Sequence, residues 1–161
     1  MRESEKRLHR CCFTGHRPEK LPQSEKEIKL SLEKAIIQAI NDDFTVFISG
    51  MARGVDIWAS EIVLSLKSYI PNVRLICAIP YAGFEKNWSH EWKKRYFNIL
   101  ANADLIRYIN PHYDRSCFQK RNEWMVNHAA RVIAVFYGLP GGTKNTIEYA
   151  KSNNIDIKQI P

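Results

Sequence analysis

Short apolar runs alternate with longer stretches in which apolar residues recur every three or four positions, from one end of the chain to the other. Residues 10–14 (RCCFT) form the first run and end at Gly15; residues 44–48 (FTVFI), 73–79, 104–109 and 132–136 form the next four. The runs at 44–48, 73–79 and 132–136 are apolar without alternation, the pattern of parallel strands covered on both faces. Residues 155–160 alternate strictly, as an edge strand with one solvated face does. Between the runs lie helical patterns. The first opens with Ser24 as N-cap and Glu27 as the reciprocal member of a capping box, and carries Ile28, Leu32, Ala35, Ile36, Ala39 and Ile40 at helical spacing. Further helices are predicted over residues 55–68, 88–101, 117–130 and 143–152, with the third strand stopping at Pro80.

Six strands alternating with five helices predict an α/β, Rossmann-like, doubly wound and mostly parallel sheet with helices on both faces. At 161 residues the chain is expected to be one domain, 1–161, burying roughly 70% of its unfolded surface. In such sheets ligands bind outside the carboxyl ends of the strands, near the point where strand order reverses. The loops after each strand are therefore where chemistry is sought.

Composition narrows the classes of function. Apolar residues make up 45% of the chain and charged residues 25%, the balance of a globular protein rather than a disordered one. No apolar run is long enough to span a membrane, so no membrane partner is expected. The first ten residues are charged and lack a signal peptide's apolar stretch, and the four cysteines form no C-x-x-C pair. Both features predict a cytoplasmic protein with reduced thiols. His9, His90, His112 and His128 have no metal-ligand spacing, and no metal site is expected. The net charge of +7 favours an anionic partner without saying which.

Three loops carry the candidate site. After the first strand, Thr14, Gly15, His16 and Arg17 combine a close-approach glycine with hydrogen-bond donors and positive charge. A turn with merely solvated basic residues would read the same way. After the second strand, Ser49, Gly50, Arg53, Gly54 and Asp56 lead into a helix N-terminus, where exposed N–H groups and the helix dipole favour a phosphate-like anion. Arg53 adds a bidentate donor, and Asp56 either accepts from a ribose hydroxyl or simply favours the first helical turn. After the fifth strand, Gly141 and Gly142 precede a helix with hydroxyls at Thr143 and Thr146, which either cap that helix or bind a phosphate. Arg121 shares a helix face with Phe118 and Met125 beside Asn122, and Pro80, Tyr81 and Trp88 offer a surface on which a base could stack or else belong to the core.

These motifs together resemble the SLOG superfamily, which groups DprA/Smf proteins with the Lonely Guy phosphoribohydrolases. Ser-Gly-Met-Ala-Arg-Gly-Val-Asp at 49–56 is similar to the Ser-Gly-x-Ala-Arg-Gly-x-Asp motif of DprA. Cys-Cys-Phe-Thr-Gly-His-Arg-Pro near the start, Arg121-Asn122 with Met125, and Gly-Gly-Thr-Lys-Asn-Thr at 141–146 are closer to the stand-alone YpsA-like branch. The resemblance covers nearly the whole chain. It implies a Rossmann-like fold that binds a nucleotide or nucleotide-derived ligand, no required cofactor, and for this branch no established reaction. Lonely Guy enzymes carry Pro-Gly-Gly-x-Gly-Thr-x-x-Glu and an arginine in the preceding helix; Pro140, Gly141, Gly142, Glu148 and Arg121 match, whereas Lys144 and Asn145 replace the glycine and threonine.

Three functions follow as expectations. The first is a small nucleotide-ligand binding protein, a sensor or regulator. The second is a phosphoribohydrolase-like glycosidase acting on a nucleoside monophosphate, with Arg121 holding phosphate or sugar and Glu148 stabilising positive charge at the anomeric carbon. The third is single-stranded nucleic-acid binding as in DprA, for which Lys93-Lys94-Arg95-Tyr96 is the only compact basic and aromatic run. The apolar and aromatic content would also allow a homodimer.

Overall fold

The structure is a computed structural model and describes residues 1–160. Residue 161, the last of the expected domain, lies outside the described residues. Helix α1 (Glu3–Lys6) and a 3-10 turn (Arg7–His9) lead into strand β1 (Arg10–Gly15). A second 3-10 turn (Pro18–Lys20) and helix α2 (Glu25–Asn41) follow, then β2 (Val46–Ser49), α3 (Val55–Lys67), β3 (Arg74–Tyr81) and α4 (His90–Asn102). The chain continues as β4 (Leu105–Asn110), α5 (Cys117–Asn127), β5 (Arg131–Val135), α6 (Gly142–Ser152) and β6 (Asp156–Ile160).

Every strand pairing is parallel, and the order is β4-β3-β2-β1-β5-β6. The first four strands step outward in one direction. The chain then crosses back over the sheet through α5 to place β5 on the free side of β1. Strand order thus reverses between β1 and β5, where a doubly wound sheet opens a crevice at its carboxyl edge.

Alternation along each strand divides the core into two layers. Cys11 and Phe13 of β1, Phe47 of β2 and Ile133 of β5 pack in one cluster with Ile28, Leu32 and Ile36 of α2, Ile57 of α3 and Tyr96 of α4. Cys12, Ile48, Val132 and Ala134 face the other way, against Met125 and Val126 of α5 and Ile147 and Ala150 of α6. Phe13 and Phe47 stack with centroids 6.0 Å apart, so neighbouring strands lock in register through their side chains as well as their backbones. All four cysteines are buried and free. Burial pushes the thiols of Cys11, Cys12 and Cys77 up, which keeps them as inert packing groups.

Several boundaries differ from the sequence expectation, each for a local reason. β3 does not stop at Pro80 but runs on to Tyr81. Its pairing with β2 ends at Cys77, so Pro80 has no ladder bond to break on that side. β2 starts at Val46, because Asp43 adopts a left-handed φ of 72° and turns the chain before Phe44. Trp88 lies ahead of α4, whose N-cap is Ser89; its hydroxyl accepts from the Trp92 N–H. α5 ends at Asn127 rather than at residue 130, with a His128 ring nitrogen 2.7 Å from the Trp124 carbonyl. The capping box of α2 is half formed: Ser24 Oγ accepts from the Glu27 N–H, but its hydroxyl also donates to the Glu27 carboxylate, so that carboxylate serves the side chain rather than the backbone. The short helix α1 was not expected from the pattern. Among the described residues no helix is long and apolar enough to cross a membrane.

Candidate functional site

The loops after β1, β2, β3 and β5 converge with the first turns of α5 on a crevice of about 960 Å³ at the reversal point. The β1 loop supplies Thr14, Gly15, His16, Arg17 and Lys20. His16 is held rigidly. Its backbone N–H extends the ladder to the Val135 carbonyl at 3.3 Å, and its Nε2 accepts from the Tyr137 N–H at 3.1 Å. The Phe136 ring lies 5.2 Å from the imidazole. An accepting Nε2 leaves the proton of the neutral ring on Nδ1. Burial, assisted by Lys20, pushes the His16 pKa down and favours this neutral form.

The loop after β2 is built differently from a phosphate cradle. Ser49 is fully buried; its hydroxyl donates to the Asp56 carbonyl at 3.0 Å and accepts from the Met51 N–H at 3.2 Å. Gly54 is the N-cap of α3 at φ 93°, and a Cβ there would sit 2.8 Å from Pro18 Cδ. Gly15 is pressed against the Val55 side chain in the same way. These glycines interlock the first two loops. The N-terminal turn of α3 holds an anion of its own, since Asp56 Oδ2 accepts from the Ala52 N–H at 3.2 Å. Arg53 lines the crevice and pairs with Glu19 at 3.2 Å.

Asp56 and Arg121 form the floor. Both are buried, at 7% and 6% exposure, and both line the crevice. Arg121 Nη1 donates to the Gly50 carbonyl and its Nε donates to Asn122 Oδ1 at 2.8 Å. A side chain at Gly50 would reach within 3.0 Å of both the guanidinium carbon and Asp56 Oδ2, so only glycine lets the two groups approach. No ion pair joins them directly among the described residues. Asp56 Oδ1 is buried without a hydrogen-bond partner. Burial pushes the Asp56 carboxyl up to about 6, against the opposing pull of Arg121 and the Ala52 N–H. Burial likewise lowers the pKa of Arg121, with Asp56 opposing it.

Aromatic rings make a further part of the lining, and one of them, Phe118, lies 6.0 Å from the Arg121 guanidinium. Tyr81, Phe84, Trp88 and Phe118 all line the crevice and meet edge-on, with Phe84 and Trp88 centroids 4.9 Å apart and Tyr81 and Phe118 6.2 Å apart. At the rim, Gly141 caps α6 at φ 133° without a side-chain cap, and Gly142 and Thr143 line the crevice beside Asn122. Arg17, Lys20, Arg53 and Arg121 face a single lining carboxylate, Asp56, so the crevice carries net positive charge.

The structure therefore brings together Thr14, Gly15, His16, Arg17, Arg53, Asp56, Tyr81, Trp88, Arg121, Asn122, Gly141, Gly142 and Thr143. It places others elsewhere. Ser49, Gly50 and Gly54 support the floor from behind, Pro80 is buried in β3, and the Thr146 hydroxyl donates back to the Gly142 carbonyl at 2.8 Å. Glu148 does not line the crevice; its side chain is 62% exposed and lies 4.0 Å from Lys144. Two turns of helix carry it away from the glycines it was expected to accompany. The run Lys93-Lys94-Arg95-Tyr96 does not form a basic track with a stacking ring. Tyr96 is 1% exposed, and Arg95 is committed to Glu25, Glu61 and the Trp92 ring. Sequence reasoning missed Lys20, Phe84, Asn87, Trp92 and Phe118 as lining residues. Phe118 was visible on the same helix face as Arg121, and Phe84 in the loop after β3.

Comparison with known proteins identifies the family and supports the fold. The family model described as the YspA SLOG family matches residues 11–160. The SPbeta prophage-derived protein YoqJ of Bacillus subtilis strain 168 is 32% identical over 117 residues, which cover 65% of this chain and 68% of that protein. A UPF0398 protein of Halalkalibacterium halodurans is 28% identical over 127 residues, covering 77% of this chain and 67% of its own. Among solved structures, DNA processing protein A of Streptococcus pneumoniae superposes with a TM-score of 0.68 at 22% identity. That match covers 96% of this chain, which spans 50% of the pneumococcal protein. The Helicobacter pylori protein of the same name, studied for its single-stranded DNA binding mode, also superposes at 0.68 with 20% identity, over 99% of this chain and 67% of that one. At these identities the structural matches speak to fold alone. On the family match, the chain belongs to the YspA SLOG family.

Proposed function

We propose that this protein binds a nucleotide or nucleotide-derived small molecule in the crevice at the β1/β5 reversal, as a sensor or regulator. The observation that carries the reading is that one crevice is lined by two chemically different sets of side chains: the cations Arg17, Lys20, Arg53 and the buried Arg121, and the rings of Tyr81, Phe84, Trp88 and Phe118. Guanidinium groups suit a phosphate, and aromatic rings suit a base. The volume of about 960 Å³ lies within the range of small-molecule sites. The glycosidase alternative finds less support, since the Glu148 side chain is 62% exposed and lies outside the crevice lining. The engagement of Arg95 and Tyr96 likewise weakens the case for a single-stranded DNA track. Isothermal titration with AMP, ADP-ribose and NAD tests the proposal: saturable binding to one of them supports it, and no heat from any at about millimolar concentration counts against it.

A further inference from the structure

We propose that Asp56 takes up one proton from solvent when a phosphate-bearing ligand settles beside Arg121, so that the crevice binds its anion together with a proton. This inference rests on the ligand class proposed above and adds how the floor admits the anion. Asp56 and Arg121 are both more than nine-tenths buried and both line the crevice. With Asp56 ionised, the floor carries one negative and one positive group and is close to neutral overall. A phosphate placed beside Arg121 then meets a carboxylate in a site of low solvent access, where like charges repel strongly. Asp56 Oδ1 has no hydrogen-bond partner among the described residues, so no protein donor is bonded to that oxygen to hold it in its charged form. Burial already pushes the carboxyl up to about 6, within reach of neutral solution.

The surrounding charges fix the direction of the effect. Arg121 from α5 and the Ala52 N–H favour the ionised carboxylate, and Cys12 of β1 lies near it as a neutral thiol. Arg17 and Lys20 of the β1 loop and Arg53 of its own loop line the same crevice, with His16 neutral. A bound anion opposes all of these cations and raises the carboxyl further. Arg121 Nη2 carries no hydrogen bond to protein among the described residues, so a donor remains for the anion. Protonating Asp56 turns the floor from neutral to net positive at the moment the anion arrives.

The test uses ADP-ribose, whose pyrophosphate diester keeps a fixed charge near neutrality; AMP titrates near 6 and would mask the effect. Affinity of the intact chain is expected to rise by up to about tenfold per pH unit from about pH 8 to about pH 6 and then level off. Titrations in buffers of different ionisation enthalpy should show uptake of close to one proton per ligand at about pH 7. Asp56→Asn should bind with no pH slope and no uptake. A flat profile in the wild type, or a slope that survives in Asp56→Asn, overturns the inference while leaving the ligand class standing. The carbon NMR shift of the Asp56 carboxyl gives a second readout in the unaltered protein, with inorganic sulfate as the anion. A midpoint near 6 that moves upward with sulfate supports the inference even if no nucleotide binds and the functional reading fails. A midpoint near 4, or one that sulfate leaves in place, overturns it.

Discussion

Asp56 and Arg121 approach each other across Gly50, close enough that a side chain there would touch both, yet each is bonded to backbone or amide partners rather than to the other. Such a pair is neither a structural salt bridge nor two solvated charges. It is a buried acid and a buried base with spare bonding capacity, open to the same crevice.

The first prediction concerns that pair. Arg121→Lys keeps the charge but loses the planar fork that reaches Gly50 and Asn122, so it is not a conservative change. Binding of ADP-ribose should weaken at least about tenfold, and Arg121→Ala should weaken it more, as read by isothermal titration. Unchanged affinity in both variants would remove Arg121 from the site.

Asp56 makes a prediction about stability in the free protein. Its folded pKa lies near 6 against an ordinary value of 3.8, so its favourable contribution is complete below 3.8 and is lost as pH rises through about 6. Asp56→Asn should therefore be more stable than the wild type at neutral pH, by up to about 3 kcal/mol, and the gap should close between about pH 6 and pH 4. His16 works in the opposite sense. Its folded pKa is depressed, so its contribution is present above 6.5 and falls away as pH drops below that value. Denaturant unfolding of the wild type, Asp56→Asn and His16→Gln across this range separates the two.

Trp88 tests the aromatic wall. Trp88→Ala should cost about 1–3 kcal/mol of affinity for AMP and little for ribose 5-phosphate, because only the former has a base to stack. Equal losses for both ligands would mean that the ring shapes the loop rather than meeting the ligand.

Glu148→Gln should leave nucleotide binding within about twofold of wild type, since the side chain is solvated and its ion-pair partner Lys144 is also on the surface. A base-release assay on AMP with this variant checks the glycosidase alternative. Release by the wild type that the variant loses would restore Glu148 to a mechanism.

Gly54→Ala should destabilise the fold by about 1–3 kcal/mol, lowering the melting temperature by several degrees. The backbone is at φ 93° and the added carbon would press on Pro18. Calorimetry reads this directly.

Much of this arrangement is legible in the sequence because it depends on local pattern. Unbroken apolar runs at 44–48, 73–79 and 132–136 announce buried parallel strands, and the general rule for doubly wound sheets directs attention to the loops after them. What the sequence concealed is which way each loop residue faces. Ser49 and Asp56 sit in one motif, but only the packing of α3 turns the serine hydroxyl inward to the Asp56 carbonyl and leaves the carboxylate in the crevice. The exposure of Glu148 is concealed in the same way, because separation along the chain is no guide to which side of α6 a residue occupies. Tyr96 and Arg95 read as a surface run until α4 is docked, when one enters the core and the other spans α2 and α3.

The most direct measurement of the central claim is a crystal structure of the protein soaked with ADP-ribose at about 5 mM. The account predicts density in the crevice with a phosphate beside Arg121 and the adenine against Trp88 or Phe118. Density at another surface, or an empty crevice under conditions where titration shows binding, would contradict it.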